Sequence, residues 1–168
     1  KSGTIEVLLS LPIKDYELIF GKYFAALLVC FIAIITCFPL WLGVNFLGNV
    51  DNLIAFGGFV SCLMLACIYL AISMAISMIT KNQIIAYLLS LLFGFLLLVS
   101  GMPIVMTMLD GLGFNLGGLF AQISLLGDFE NMISGQFNYS AIIKFILLTC
   151  LGLYINFVFL QQKRRGQI

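Results

Sequence analysis

The chain has 168 residues, of which 62% are hydrophobic and 9% charged, and its formal net charge is +1. A soluble domain carries about 25% charged residues, so this composition cannot cover a water-exposed surface and predicts an all-α integral membrane protein. No basic face with interleaved aromatic residues is present, so no nucleic-acid partner is expected. The absence of histidine excludes Ser-His and Cys-His catalysis.

Charged residues are concentrated in the first part of the chain, residues 1–22. A helix over residues 4–11 places Glu6 and Ser10 one turn apart on a narrow polar stripe. Pro12 should bend the chain, and a second helix should start near Lys14 or Asp15. These residues alone favour an amphipathic interfacial anchor that leads into a membrane span.

The sequence SGTIEVLLSLPIKDYELIFGK resembles a segment of the ABC-2 type transporter permeases, and is most similar to their gliding-motility and nitrous-oxide-reductase-associated branch. In that family the segment is a cytoplasmic coupling helix that contacts the ATPase subunit. Residues 1–22 are therefore named the coupling segment here. The chain departs from the family at Lys14, where many relatives have a Ser or Thr that can cap the second helix. The resemblance assigns ATPase contact to Gly3, Thr4, Glu6, Leu9, Ser10, Pro12 and Lys14.

Four apolar runs are long enough to cross a bilayer, which needs about 20 residues. Pro39 should kink the first run, and Gly101 and Pro103 lie near the far end of the third. Asn156 in the last run is expected to form an interhelical hydrogen bond. The predicted spans are about 24–46, 54–79, 84–108 and 141–161.

The distribution of basic residues predicts the orientation. With the N-terminus inside, seven Lys and Arg residues are cytoplasmic and only Lys144 is outside. Both termini of the chain should therefore be cytoplasmic. The same orientation places outside the acidic residues Asp51, Asp110, Asp128 and Glu130.

Small residues recur in the second span, where Ala71 and Ala75, like Ser73 and Ser77, form small-xxx-small pairs. Such pairs let helices approach closely. They indicate helix packing, either static or shifting during transport, and static packing is the simpler interpretation.

The loop of residues 110–140 contains apolar residues at three- and four-residue intervals, typical of an amphipathic helix at the outer surface or of two short helices broken near Gly127. The resemblance implies a re-entrant helical hairpin before the last span. The alternative is a surface helix without a role in gating. The apolar positions are Leu119, Ile123, Leu126, Phe129, Ile133 and Phe137.

The family resemblance implies a permease subunit of an ATP-driven transporter, acting as an exporter in the bacterial cytoplasmic (inner) membrane. It further implies a separate ATPase subunit, a second permease subunit and two further spans before residue 1. No P-loop sequence is present, and the spans lack the central charges of proton-coupled transporters. No catalytic residue, cofactor or metal site is expected. The alternative is a non-transporting anchor or assembly subunit that docks a cytoplasmic partner.

Overall fold

The computed structural model describes residues 14–48, 51–80, 82–111 and 124–164, and all regular structure in these ranges is helical. Long apolar runs with few breakers favour helices, because a helix satisfies its own backbone groups within a membrane. The helices are α1 (Asp15–Ile35), α2 (Phe38–Leu47), α3 (Asn52–Ile79), α4 (Gln83–Val99), α5 (Pro103–Asp110), α6 (Leu126–Ile133) and α7 (Tyr139–Arg164).

The first apolar run is broken between α1 and α2, next to Pro39. Proline has no N–H, so the carbonyl of Ile35 lacks the donor that an uninterrupted helix would supply. At the break the Thr36 hydroxyl donates to the carbonyl of Ala33 at 2.6 Å, and Pro39 occupies the first turn of α2. The kink predicted at this proline is present.

Helix α3 is the centre of the bundle and packs against α1, α4, α6 and α7. Its N-terminus is capped by Asp51, whose side chain accepts the N–H of Leu53 at 2.9 Å. Along α3 the buried positions include Gly57, Ser61 and Ala71. Their small side chains allow several helices to approach one axis.

Three helical stretches among the described residues are long and apolar enough to span a membrane: Asp15–Leu47, Asn52–Ile79 and Tyr139–Arg164. They contain the predicted runs at 24–46, 54–79 and 141–161. Helix α4 has 17 residues, or about 26 Å, slightly less than the hydrocarbon thickness of about 30 Å.

The predicted third span, 84–108, is divided in the structure. Helix α4 ends at Val99 and α5 begins at Pro103. Between them, Gly101 is buried so closely against Ser124 and Leu126 that a Cβ atom would overlap their side chains. The glycine and the proline together end α4 and direct the chain toward α6.

The described part of the 110–140 loop contains one short helix, α6. Its residue Met132 is fully buried, in a core cluster with Ile68, Leu125, Ala141 and Phe145. The apolar side of α6 therefore packs into the bundle. The predicted positions Leu119 and Ile123 lie outside the described residues.

Candidate functional site

The beginning of α1 is joined to the end of α7 by an ion pair. Asp15 Oδ1 lies 2.7 Å from Arg164 Nη1, and the Asp15 side chain is 16% exposed. An acid in the first turn of one helix and a base in the last turn of another each suit their helix dipole. The pair holds the entry to α1 against α7.

After this ion pair, the next turns of α1 pack against both α3 and α7. Ile19 and Tyr23 of α1 are buried with Met74 of α3 and Leu160 of α7. The Tyr23 hydroxyl donates to the carbonyl of Cys67, on α3, at 3.2 Å. The three helices α1, α3 and α7 therefore contact one another pairwise.

Helices α3 and α7 approach most closely at Gly152. A Cβ atom there would lie 2.9 Å from the Cβ of Ala71. One turn further, the buried Asn156 Nδ2 donates to the carbonyls of Ala71 at 3.0 Å and Gly152 at 2.8 Å. Because both partners are acceptors, the amide nitrogen must face them. This confirms the predicted interhelical hydrogen bond, and Asn156 Oδ1 accepts from no group among the described residues.

At the other end of the bundle, a second ion pair joins α6 to α7. Lys144 Nζ lies 2.5 Å from Asp128 Oδ2, with side-chain exposures of 29% and 21%. The same ammonium donates to the carbonyl of Ser124 at 3.4 Å. The single base predicted on the outer side therefore holds the segment that precedes and begins α6.

Within the part of the chain that the structure describes, these features form a helical bundle with an ion pair near each end. Comparison with known proteins gives its family. The sequence profile described as ABC-2 family transporter protein matches residues 1–159. The chain belongs to this family. Neither a curated protein nor a solved structure matches it. Membership of this family implies that the chain is a permease-type, multi-pass membrane subunit. Permeases of this family normally work with an ABC ATPase subunit.

In this ABC-2 chain, Lys14 is the one predicted ATPase-contact residue that the structure describes. It is exposed, immediately precedes α1 and makes no side-chain cap, as its departure from the family's Ser or Thr predicts. Its Nζ lies 5.7 Å from the centre of the Tyr16 ring. The predicted contact residues outside the described ranges are Gly3, Thr4, Glu6, Leu9, Ser10 and Pro12.

The four predicted packing residues of the ABC-2 chain fall on two different sides of α3. Ala71 and Ala75 are buried in the bundle. Ser73 and Ser77 line a cavity of about 510 Å³ between α3 and α4. Residues two apart on a helix point in directions that differ by about 200°. The two alanines therefore lie on the packed face of α3 and the two serines on the open face. Sequence reasoning did not identify the cavity.

The described residues contain no group of three or more His, Cys, Asp or Glu side chains that could hold a metal ion. The structural features that bear on function are the packing of α1, α3 and α7 that begins next to Lys14, the ion pair between Lys144 and Asp128, and the cavity between α3 and α4.

Proposed function

We propose that the chain is the membrane-spanning permease subunit of an ATP-driven exporter, energised by a separate ATPase that binds the coupling segment. The supporting observation is the packing that begins at Asp15, within the coupling segment. Its ion pair with Arg164 and the Tyr23 hydrogen bond to Cys67 join α1 to α7 and α3. A displacement of the coupling segment would thus reach three helices together.

The proposal includes the topology expected from the charges. Helices α4 and α5 together form the third of four spans, both termini of the chain are cytoplasmic, and the membrane is the bacterial inner membrane. A second permease subunit completes the transport path. The gliding-motility and nitrous-oxide-reductase-associated branch remains a prediction from residues 2–22.

The docking role is tested with Glu6→Lys in the intact protein, expressed together with the proposed ATPase subunit. Reversing a charge at an interface costs several kcal/mol, so we expect co-purification of the ATPase to fall by at least about tenfold. The matched control is Glu130→Lys, the same change at an exposed position of α6, which should leave assembly unchanged. Equal assembly of the two variants would contradict docking at residues 2–14.

The same complex separates transport from anchoring. A transport subunit should change the rate of ATP hydrolysis relative to the isolated ATPase, because its conformational cycle is coupled to ATP hydrolysis. An anchor or assembly subunit should assemble with the ATPase and leave that rate unchanged. The interfacial character of the coupling segment, taken alone, would favour this alternative.

Orientation is tested with a cysteine at Ser2 in a variant that lacks the five native cysteines. A membrane-impermeant maleimide should label this cysteine in broken cells and not in intact cells. Labelling in intact cells would place the coupling segment outside and refute the proposal.

A further inference from the structure

Helices α1 and α7 lie antiparallel where α1 begins, and their contacts follow one register. Asp15 pairs with Arg164. Four residues further along α1 and four residues back along α7, Ile19 and Leu160 are buried in one cluster. Residues four apart lie on the same side of a helix. One side of the first turns of α1 therefore faces one side of the last turns of α7, and the ion pair is the first contact of this row.

The start of α1 has no side-chain cap of its own. Lys14, the residue before the helix, is exposed and has extended backbone angles, and no side chain makes a cap hydrogen bond there. Such a cap would satisfy N–H groups of the first turn and help to fix how the chain enters the helix. Here the contact that joins this entry to another helix is the bond between Asp15 and Arg164. The direction in which α1 begins therefore depends on α7.

The ion pair is better suited to orienting the two helix ends than to stabilising the bundle. The Arg164 side chain is 37% exposed, and an ion pair at such exposure shifts an equilibrium by up to about fivefold. The buried cluster around Leu160 and the close contact at Gly152 hold α7 in the bundle independently of this pair. A guanidinium is planar and its donors point in fixed directions, so it constrains the position of its carboxylate partner.

We propose that Arg164 is a positioning residue for the ATPase-driven movement. It holds the start of α1 against the end of α7, so that a displacement of residues 2–14 moves both helices together. This inference rests on the proposed function and assigns to the end of the last helix a role in it. Without the pair the ATPase still meets the same side chains in residues 2–14, but the start of α1 can move without α7. Docking of the ATPase and coupling to it are therefore separable at Arg164.

The test uses the full-length protein purified in complex with the proposed ATPase subunit. Two quantities are measured: the amount of ATPase retained, and the factor by which the permease changes the rate of ATP hydrolysis. Arg164→Gln should leave the first unchanged and reduce the second about twofold to fivefold. The matched control is Lys163→Gln, which removes the same charge from the adjacent exposed position of α7 and should change neither quantity.

Two further variants separate positioning from a general loss of stability. Arg164→Lys keeps the cation and should retain more of the coupling than Arg164→Gln. Exchanging the charges, with Asp15→Arg and Arg164→Asp together, restores an ion pair in the reverse sense. This exchange opposes both helix dipoles, so we expect partial recovery that exceeds the coupling of either single variant. A bundle that was merely destabilised would not recover when a second residue is changed.

The outcomes distinguish this inference from the proposed function. If the native complex changes the hydrolysis rate and Arg164→Gln changes it equally, the positioning role is refuted and the proposed function stands. If Arg164→Gln loses the ATPase while Lys163→Gln retains it, Arg164 is a docking contact and the proposal is also wrong. A native complex that leaves the hydrolysis rate unchanged refutes the proposed function, and the positioning role with it.

Discussion

Replacing Gly152 with alanine should separate the two helices at the centre of the bundle. The added Cβ would lie 2.9 Å from the Cβ of Ala71 and 3.3 Å from its carbonyl carbon. Carbon atoms in contact prefer about 3.5–4.0 Å. Neither neighbour is the end of a flexible side chain, so the helices themselves must move apart by about 0.6 Å or more.

This displacement has two energetic consequences. Overpacking a close contact costs about 1–3 kcal/mol, and the 3.0 Å hydrogen bond from Asn156 to the carbonyl of Ala71 would lengthen beyond its effective range, which costs about 0.6 kcal/mol. The higher helix propensity of alanine offsets about 0.5–1 kcal/mol of this destabilisation. We expect Gly152→Ala to lower the free energy of unfolding by about 0.6–3 kcal/mol in sum.

The assay is denaturant unfolding of the full-length protein in mixed detergent micelles. The matched control is Gly43→Ala in α2, where an added Cβ meets no atom within 4 Å, so its free energy of unfolding should stay equal or rise. Adding Ala71→Gly to Gly152→Ala should restore space and yield a favourable coupling energy of about 0.5–3 kcal/mol. Equal stability of Gly152→Ala and Gly43→Ala, without coupling to Ala71, would refute the described contact between α3 and α7.

Three further predictions use the same unfolding assay. Gly57→Ala would bring a Cβ within 2.8 Å of the Met132 carbonyl oxygen and should destabilise by about 1–3 kcal/mol, whereas Gly58→Ala, with open space around it, should not. Lys144→Met leaves its aspartate partner on α6 without a cation and should cost about 1–2 kcal/mol; neutralising that aspartate as well should recover part of the loss. Tyr23→Phe removes one hydrogen bond to α3 and should cost about 0.6 kcal/mol, less than Gly152→Ala.

The sequence predicted the helical class and the break at Pro39, because hydrophobic length and proline act locally. It also placed Asp128 and Lys144 on one side of the membrane, and the structure brings them together. The ion pair between Asp15 and Arg164 joins residues almost 150 positions apart. Charge counting placed both on one side but could not identify them as partners.

Sequence periodicity could not show whether a residue is packed or open where that depends on the position of a neighbouring helix. Ala71 and Ser73 belong to equivalent small-xxx-small pairs in the sequence. Only the position of Gly152 makes the side of Ala71 the packed one, and only the divergence of α4 makes the side of Ser73 open. Likewise, a continuous apolar run gave no indication that Gly101 is pressed against Ser124 and ends α4.

The packing of α3 determines where motion can enter the bundle. Helices α1, α3 and α7 form a closed triangle of contacts, and none of the three can tilt without breaking contacts with both others. Helix α4 packs against α3, and the contact includes the hydrogen bond from Tyr69 to the Gly94 carbonyl. A force applied at Lys14 in the proposed transporter would therefore move the triangle as a unit. We expect the relative displacement to appear between this triangle and α4, beside the cavity between α3 and α4.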